Sequence, residues 1–348
     1  MATSTSRLYF GLSKNSIIIL IIVFILFFYV AYLFLLPYKA ERHFRDGYNN
    51  TVLKRYSIAI DHLLLAQKYA PWETHYQIQL SRTYEEYAAQ QPSTRLKMAY
   101  YNKIESLYIN MMKLDRFSPW INSRLSSLYL TMMALDNQRN YKEMALNNAK
   151  IAAEKDSQNP LFQLNYASFL HREGQLDAAK PFYLKTIDYD PRMSEAHYNL
   201  ANIYQQEGQL DKSLDQYLTL YKITPKFPNI ELAIANAYIQ LKQPKEAITY
   251  LEKAIEKKID KNSLKVLTNL YLQTKQWNKA VIFYRQYFDT FGLSEALHAY
   301  YVQALIQTNT KENIVEAYQS LIIFLKQFPN NTLAKKQLSQ IKPYIKVQ

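Results

Sequence analysis

The sequence predicts an all-α protein, in which one transmembrane helix precedes a right-handed superhelical solenoid of about eight helix pairs. Three observations lead to this prediction. A block of similar sequence returns every 34 residues, and apolar and small residues inside it follow the helical period. A stretch of twenty apolar residues without a charge, at 17–36, comes before the repeats. A unit that returns at such a period buries its apolar face only against its neighbours.

The transmembrane helix is predicted at residues 17–38, after an N-terminal tail at residues 1–16. Twenty apolar residues form a helix of about 30 Å, which matches the hydrocarbon thickness of a bilayer. A cleaved signal peptide has a shorter apolar core and a cleavage site between small residues. Here the far end of the run carries Tyr29, Tyr32 and Phe34, and Pro37 follows. We therefore expect a retained anchor, with the lipid bilayer contacting residues 17–36.

The side of the membrane is less strongly indicated. The tail offers Arg7, Lys14 and the amino terminus, and the other flank offers Lys39, Arg42 and Arg45. The positive-inside rule counts basic residues near the span and does not separate two equal flanks. A short basic tail before a first span usually stays in the cytoplasm. This favours a single-pass protein of a bacterial inner membrane with periplasmic repeats, and a cytoplasmic placement stays open.

The repeat is most regular at residues 160–331. Residues 167–177 return at 201–211, where both copies end in the run Glu-Gly-Gln-Leu-Asp. Further pairs keep the same spacing, namely Gly174 and Gly208, Tyr183 and Tyr217, and Pro191 and Pro225. Glycine accepts the left-handed position after a first helix, and proline prevents the second helix from continuing.

These residues resemble the tetratricopeptide repeat (TPR) family. The resemblance implies antiparallel helix pairs with small residues, such as Ala247 and Ala280, where the two helices of a pair approach. It also implies a concave surface, lined by the first helix of each pair, that binds protein segments.

Two flanking regions are less regular. Residues 39–159 hold divergent TPR-like repeats, and the first helix of the weak repeat at 40–73 is expected to be short or locally opened, because Asp46, Gly47 and Asn49 are polar or flexible. Residues 332–348 are rich in lysine and glutamine and are expected to form a capping helix at the open end of the solenoid.

The divergent repeats have a resemblance of their own. Residues 65–73, 80–84 and 115–120 are similar to the soluble tail of bacterial O-antigen ligase/polymerase-like membrane proteins. The membrane core of those proteins is absent here, so the resemblance implies a cell-envelope setting and no ligase activity.

Composition excludes several classes of site. Five glycines and no recognisable phosphate-binding motif argue against nucleotide cofactors, and the absence of cysteine excludes disulfides and thiolate chemistry. The six histidines lack metal-ligand spacing, and no Ser, His and Asp residues gather in a catalytic order. The net charge of +13 is spread over the repeats and forms no nucleic-acid module. We therefore expect no enzyme activity, cofactor, metal, nucleic acid or small-molecule substrate.

The candidate partner-binding residues lie on predicted first helices. Asn202, Asn236 and Asn269 hold equivalent positions in three successive repeats, and Asn165 and Asn199 share a second position. Carboxamides both donate and accept hydrogen bonds, so such a ladder suits a peptide backbone, although it also suits bonds to neighbouring helices. Lys265 is the only basic residue that matches the carboxylate-gripping TPR subclass.

The sequence thus favours a membrane-anchored TPR scaffold that binds partner protein segments on its concave face for assembly of an envelope complex. Two alternatives remain open. One is a membrane-tethered chaperone or receptor for unfolded passengers. The other is an accessory subunit of a surface-polysaccharide polymerase or ligase.

Overall fold

The computed structural model describes residues 14–136 and 140–345 and is helical throughout these ranges. They form seventeen α-helices, in sequence two for each of eight repeats and a final single helix, and contain no strand. This confirms the predicted fold class. The chain divides into two compact units, residues 1–169 and 170–348, here called unit 1 and unit 2. The predicted tail lies outside the described residues up to residue 13, as do the last three residues of the predicted cap.

Unit 1 contains the long first helix and three further first helices, of which the last crosses into unit 2. Its helices are α1 (Lys14–Val52), α2 (Tyr56–Tyr69), α3 (Thr74–Ala89), α4 (Thr94–Leu114), α5 (Pro119–Leu135), α6 (Tyr141–Lys155) and α7 (Pro160–Arg172). Each helix packs on the next one from α1 to α6. The core of this unit includes Leu63, Leu80, Ile104, Leu125 and Met132, all nearly or fully inaccessible to solvent.

Unit 2 continues with the more regular pairs and the terminal helix. Its helices are α8 (Leu176–Tyr189), α9 (Ser194–Gln206), α10 (Leu210–Ile223), α11 (Ile230–Gln240), α12 (Pro244–Lys257), α13 (Lys261–Gln273), α14 (Trp277–Phe291), α15 (Glu295–Gln307), α16 (Lys311–Gln327) and α17 (Thr332–Ile345). Ala247 and Ala280 are fully buried, as expected for close contacts within pairs. Helix α17 packs on α16 and α15. The predicted sequence divisions at residues 39, 160 and 332 stay predictions.

Helix α1 corrects one expectation. The first helix of the weak repeat is neither short nor opened, since α1 runs without a break through Pro37 and Gly47 to Val52. Packing explains why Gly47 is helical here. A Cβ atom at this position would lie 2.6 Å from Cγ of Leu63, so only glycine lets α2 approach α1 this closely. The apolar part of α1 is exposed, and α1 is long and apolar enough to span a membrane.

Contacts with the polar half of α1 align helices α2 and α3 with it. Ala40 is buried against Ala66 and Ala70 at the end of α2. Tyr76, near the start of α3, donates a hydrogen bond to Glu41 (3.2 Å). Further along, the hydroxyls of Thr51 and Thr83 are 2.9 Å apart. Helix α3 is therefore parallel to α1, and the loop between α2 and α3 lies level with Ala40.

The turns of unit 2 explain the spacing of its glycines. Gly174 and Gly208 both adopt φ +74°, directly after a first helix, which confirms the predicted left-handed positions. The next residue then donates its N–H back across the turn, Gln175 to the Leu170 carbonyl (2.9 Å) and Gln209 to the Tyr204 carbonyl (2.8 Å). These bonds satisfy carbonyls that a helix end would leave unpaired.

Candidate partner-binding surfaces

Unit 1 contains a cleft between consecutive first helices. It has a volume of about 290 Å³ and is open on one side. Helices α3 and α5 form its walls, the second helix α4 forms its floor, and the loop between α4 and α5 closes one end. The lining residues are Thr74, Ile78, Arg82, Tyr108, Met111, Asp115, Ser118, Trp120, Ile121 and Arg124.

The cleft combines an apolar floor with cations at its rim. Tyr108 and Met111 are buried, whereas Ile78 (38% exposed) and Trp120 (51% exposed) present apolar surface. Arg82 projects from α3 and Arg124 from α5. Such a site suits an apolar side chain that is flanked by a carboxylate, because guanidinium groups bind carboxylates in a bidentate manner.

Charges of both signs lie in and next to the cleft. Asp115 accepts the backbone N–H groups of Phe117 and Ser118 (3.1 Å each), so its carboxylate holds the loop. Burial raises the pKa of the Glu85 carboxyl, while Arg124 and Arg82 oppose that rise. Burial also raises the pKa of Tyr108 to about 12, so its hydroxyl stays neutral near pH 7.

The predicted asparagines are not equivalent in their surroundings. Asn165, on α7 in unit 1, is exposed and donates a long hydrogen bond to Ser123 (3.5 Å). In unit 2, Asn199 and Asn202 lie half-buried on α9, Asn236 is exposed on α11, and Asn269 is half-buried on α13. The exposed Asn236 is thus the most accessible of the unit 2 set.

Asn202 already has a partner within its own helix pair. Its carbonyl oxygen accepts a hydrogen bond from the hydroxyl of Tyr217, a buried residue of α10. The Tyr217 hydroxyl also lies 3.2 Å from Oε1 of Gln205. Asn202 therefore stabilises the pair, and its role toward a partner stays a prediction. Lys265 is exposed on α13, one turn from Asn269.

A second open cleft, of about 400 Å³, lies in unit 2 between α14 and α16. Two of its charged lining residues, Arg285 and Glu316, are paired with each other, and Asp289 also lines it. Glu316 accepts hydrogen bonds from Arg285 and from the hydroxyl of Tyr301. The guanidinium and the phenol hydrogen bond both lower the pKa of the Glu316 carboxyl. The one arginine of this cleft is therefore already engaged by a carboxylate.

No group of three or more metal-ligating side chains occurs in the described ranges. The nearest approach is His43 on α1 and His62 on α2, whose Nδ1 atoms are 3.1 Å apart. Two imidazoles alone do not complete the coordination of a structural metal, which takes four ligands. The ring of His43 also stacks on Tyr69, so packing accounts for this pair.

Sequence reasoning missed the cleft of unit 1. It placed the candidate residues on the regular repeats, where equivalent positions are easy to align. A signal was present in the sequence, since Ile78, Arg82 and Arg124 lie on first helices. They are close to Leu80, Ser81 and Leu125, which occupy the positions that are apolar or small in the other repeats. The irregular spacing of these repeats made it difficult to align their positions with those of the regular repeats. The distance between α3 and α5 is a property of the folded chain.

A comparison with protein families finds one match. The family model for the tetratricopeptide repeat matches residues 118–268, which lie in both units. This agrees with the helix pairs seen in the structure. No curated protein sequence matches the chain. The resemblance of the divergent repeats to O-antigen ligase/polymerase-like proteins stays a prediction.

Three solved structures that resemble this chain are distant from it in sequence. YrrB, described as a TPR protein with an unusual peptide-binding site, is 20% identical with a TM-score of 0.43, over 54% of this chain and 96% of YrrB. PilW, a type IV pilus biogenesis factor, is 14% identical with a TM-score of 0.46, over 62% and 92%. TTC0263, a TPR protein of Thermus thermophilus, is 21% identical with a TM-score of 0.40, over 57% and 99%.

Proposed function

We propose that this protein is a membrane-anchored TPR scaffold that holds a segment of a partner protein on the first helices of unit 1. The anchor is the apolar half of α1, and the binding surface is the cleft between α3 and α5. The partner segment carries an apolar residue that enters the cleft and an acidic residue that pairs with Arg82 and Arg124. A bacterial envelope complex, with the repeats on the periplasmic side of the inner membrane, is the proposed setting.

The cleft is the observation that supports this function best. It brings exposed apolar surface together with two arginines of different helices. Both arginines interact electrostatically with Glu85 on α3, but among the residues that the structure describes neither forms an ion pair within 4.0 Å, unlike Arg285 in unit 2. Because the two guanidinium groups sit on consecutive helix pairs, a bound segment would contact both pairs. Modest contacts of this kind combine over a surface into useful affinity.

The anchor contributes by restricting where the binding surface lies. A tethered surface meets membrane-bound partners at a raised effective concentration, which strengthens binding without any new contact. Asn236, Asn269 and Lys265 of unit 2 offer a second, separate polar surface to a partner.

Crosslinking of the tagged full-length protein in its native membrane tests the proposal. We expect one or two partners at fixed stoichiometry. The double variant Arg82→Glu with Arg124→Glu should abolish their recovery, because it turns the rim of the cleft acidic. Arg95→Glu is the matched control, since Arg95 is an exposed arginine at the start of α4, outside the cleft.

Asn236→Leu separates the two surfaces. A partial loss of partner would show that unit 2 has a binding surface of its own, and Asn236 is preferable to Asn202, whose side chain is engaged by Tyr217. Unchanged recovery with the double arginine variant would contradict the proposal. Recovery of many unrelated unfolded chains would instead indicate a tethered chaperone.

A further inference from the structure

An exposed apolar edge lies at one end of the helices of unit 1. Trp72 is 55% exposed in the loop between α2 and α3, Phe117 is 87% exposed in the loop between α4 and α5, and Leu114 is 54% exposed at the end of α4. These three residues are here called the aromatic edge. Most of Phe117 and about half of Trp72 are exposed, so packing within the unit does not account for their apolar surface.

The aromatic edge lies at the end of unit 1 from which the apolar half of α1 emerges. The loop that carries Trp72 is level with Ala40, as the contacts between Ala40 and Ala70 and between Glu41 and Tyr76 show. The loop that carries Phe117 lies at the same end, because Asp115 and Thr74 line one cleft.

The distance from the apolar run to this level is short. Ala40 lies four positions after Leu36, the last residue of the run, which is about 6 Å along a helix axis. The headgroup layer on each side of a bilayer is about 5–8 Å thick. Since α1 continues through Pro37 without a break, it holds unit 1 directly against that layer.

Basic side chains surround the aromatic edge. Lys68, Lys113 and Arg116 are exposed there, and Lys155 donates a hydrogen bond to the carbonyl of Arg116 (2.7 Å). Two acidic residues, Glu73 and Asp115, lie at the same end, and Asp115 accepts two backbone N–H groups of its loop. Tryptophan and phenylalanine beside lysine and arginine match the chemistry of the interface of an anionic bilayer.

We propose that the aromatic edge docks into the headgroup layer of the same membrane that α1 spans. Trp72 and Phe117 enter the interface, and Lys68, Lys113 and Arg116 contact anionic headgroups. Unit 1 is then held at two places, so that its orientation to the membrane, and with it the direction of the cleft, is fixed. This inference rests on the proposed membrane anchor.

Site-specific labelling tests it, and the absence of cysteine makes single labels straightforward. Full-length protein with Phe27→Cys, Trp72→Cys, Phe117→Cys or Arg95→Cys is labelled with a fluorophore and reconstituted into vesicles. The vesicles contain equimolar phosphatidylcholine and phosphatidylglycerol with a nitroxide-labelled lipid as quencher. Arg95 is the control, because α4 places it about 30 Å from Leu114.

We expect several-fold stronger quenching at positions 72 and 117 than at position 95, and strong quenching at position 27. Quenching at 72 and 117 equal to that at 95, with position 27 still quenched, would overturn the docking and leave the anchor intact. An unquenched label at position 27 would overturn the anchor itself. Circular dichroism of each labelled variant verifies that the helices are retained.

The electrostatic part has a separate test. Lys113→Glu with Arg116→Glu should lower the quenching at position 72 several-fold in the anionic vesicles, and equal quenching would contradict the contact with anionic headgroups. Labels at 72 and 117 could be shielded from solvent in native membranes but not quenched in vesicles that contain no other protein. That result would assign the aromatic edge to a protein partner and contradict the proposal.

Discussion

The two units are built from similar helix pairs but differ in how their turns are made. In unit 2, one left-handed residue follows each first helix, at Gly174, Gly208, Lys242, Lys275 and Asn309. In the first four of these turns, the next residue is a glutamine that donates its N–H to the carbonyl five residues before it, at 2.8–2.9 Å. In unit 1 a left-handed residue follows α1, at Lys54, whereas the loop between α3 and α4 contains none.

The loops that join one pair to the next also differ between the units, in the exposure of their aromatic side chains. In unit 1 they expose Trp72 and Phe117, whereas in unit 2 Phe227 is half-buried and packs on Tyr198 (5.2 Å between ring centroids). A turn that is repeated in every pair gives the helices a constant spacing, so the surfaces of successive pairs are similar to one another. We infer that unit 2 mainly extends the scaffold, whereas unit 1 carries the surfaces that distinguish this protein from other stacks of helix pairs.

The largest expected effect contrasts one phenylalanine from each unit. Phe324 is 1% exposed and stacks on His298 with 4.0 Å between ring centroids, so Phe324→Ala should reduce the free energy of unfolding by about 3–5 kcal/mol. Phe117→Ala should change it by less than about 0.5 kcal/mol, since Phe117 is exposed. Urea denaturation of the full-length protein in detergent micelles measures both. A similar loss for Phe117→Ala would show that the aromatic edge is structural.

The next effect tests close helix contacts in both units. Ala247→Leu or Ala280→Leu should destabilise unit 2 by roughly 1–3 kcal/mol, because each alanine is fully buried between paired helices. Gly47→Ala should also destabilise unit 1, although alanine normally stabilises a helix interior by about 0.5–1 kcal/mol relative to glycine. The reason is the collision with Leu63. Melting at unchanged temperatures would mean that the assigned repeat register is wrong.

A third prediction concerns pH and involves unit 2. Burial lowers the pKa of His298 from its ordinary value to about 4, and Nε2 of this residue bonds the Ser320 hydroxyl (2.8 Å). The unfolded chain therefore binds a proton at higher pH than the folded chain does. The resulting stability is present above about pH 6.5 and is lost as the pH falls toward about 4, by up to about 1.4 kcal/mol per pH unit. His298→Gln should remove this part of the slope, which denaturation at pH 7 and pH 5 would reveal.

The smallest expected effect concerns the repeated turn. Gly208→Ala should cost about 1 kcal/mol, because a side chain at φ +74° is strained. Lys275 adopts φ +57° at the equivalent position, so Lys275→Gly should gain a similar amount or less, since glycine also raises the entropy of the unfolded chain. Thermal melting of the two variants tests both predictions. Melting temperatures that shift in the same direction would contradict the equivalence of the two turns.

The sequence predicted the helix pairs well because each pair is specified locally. Tyr, Ala, Gly and Pro recur at fixed intervals, and each has a direct structural reason, such as the left-handed turn at Gly208. The prediction of a short or opened helix at 40–52 was wrong because this stretch is specified by a distant contact. Asp46 and Gly47 read as a weak point of the helix, whereas packing against Leu63 keeps this stretch helical.

The sequence by itself determined the fold class, the number of helix pairs and the presence of one helix apolar enough to span a membrane. These features follow from periodicity and hydropathy, which act over a few neighbouring residues. Only the tertiary structure decided which side chains meet. It brought Arg82 and Arg124 to one cleft, paired Asn202 with Tyr217, and set Trp72 and Phe117 at the end from which α1 emerges. Such contacts join residues that are far apart in the chain, and no local pattern encodes the distance between them.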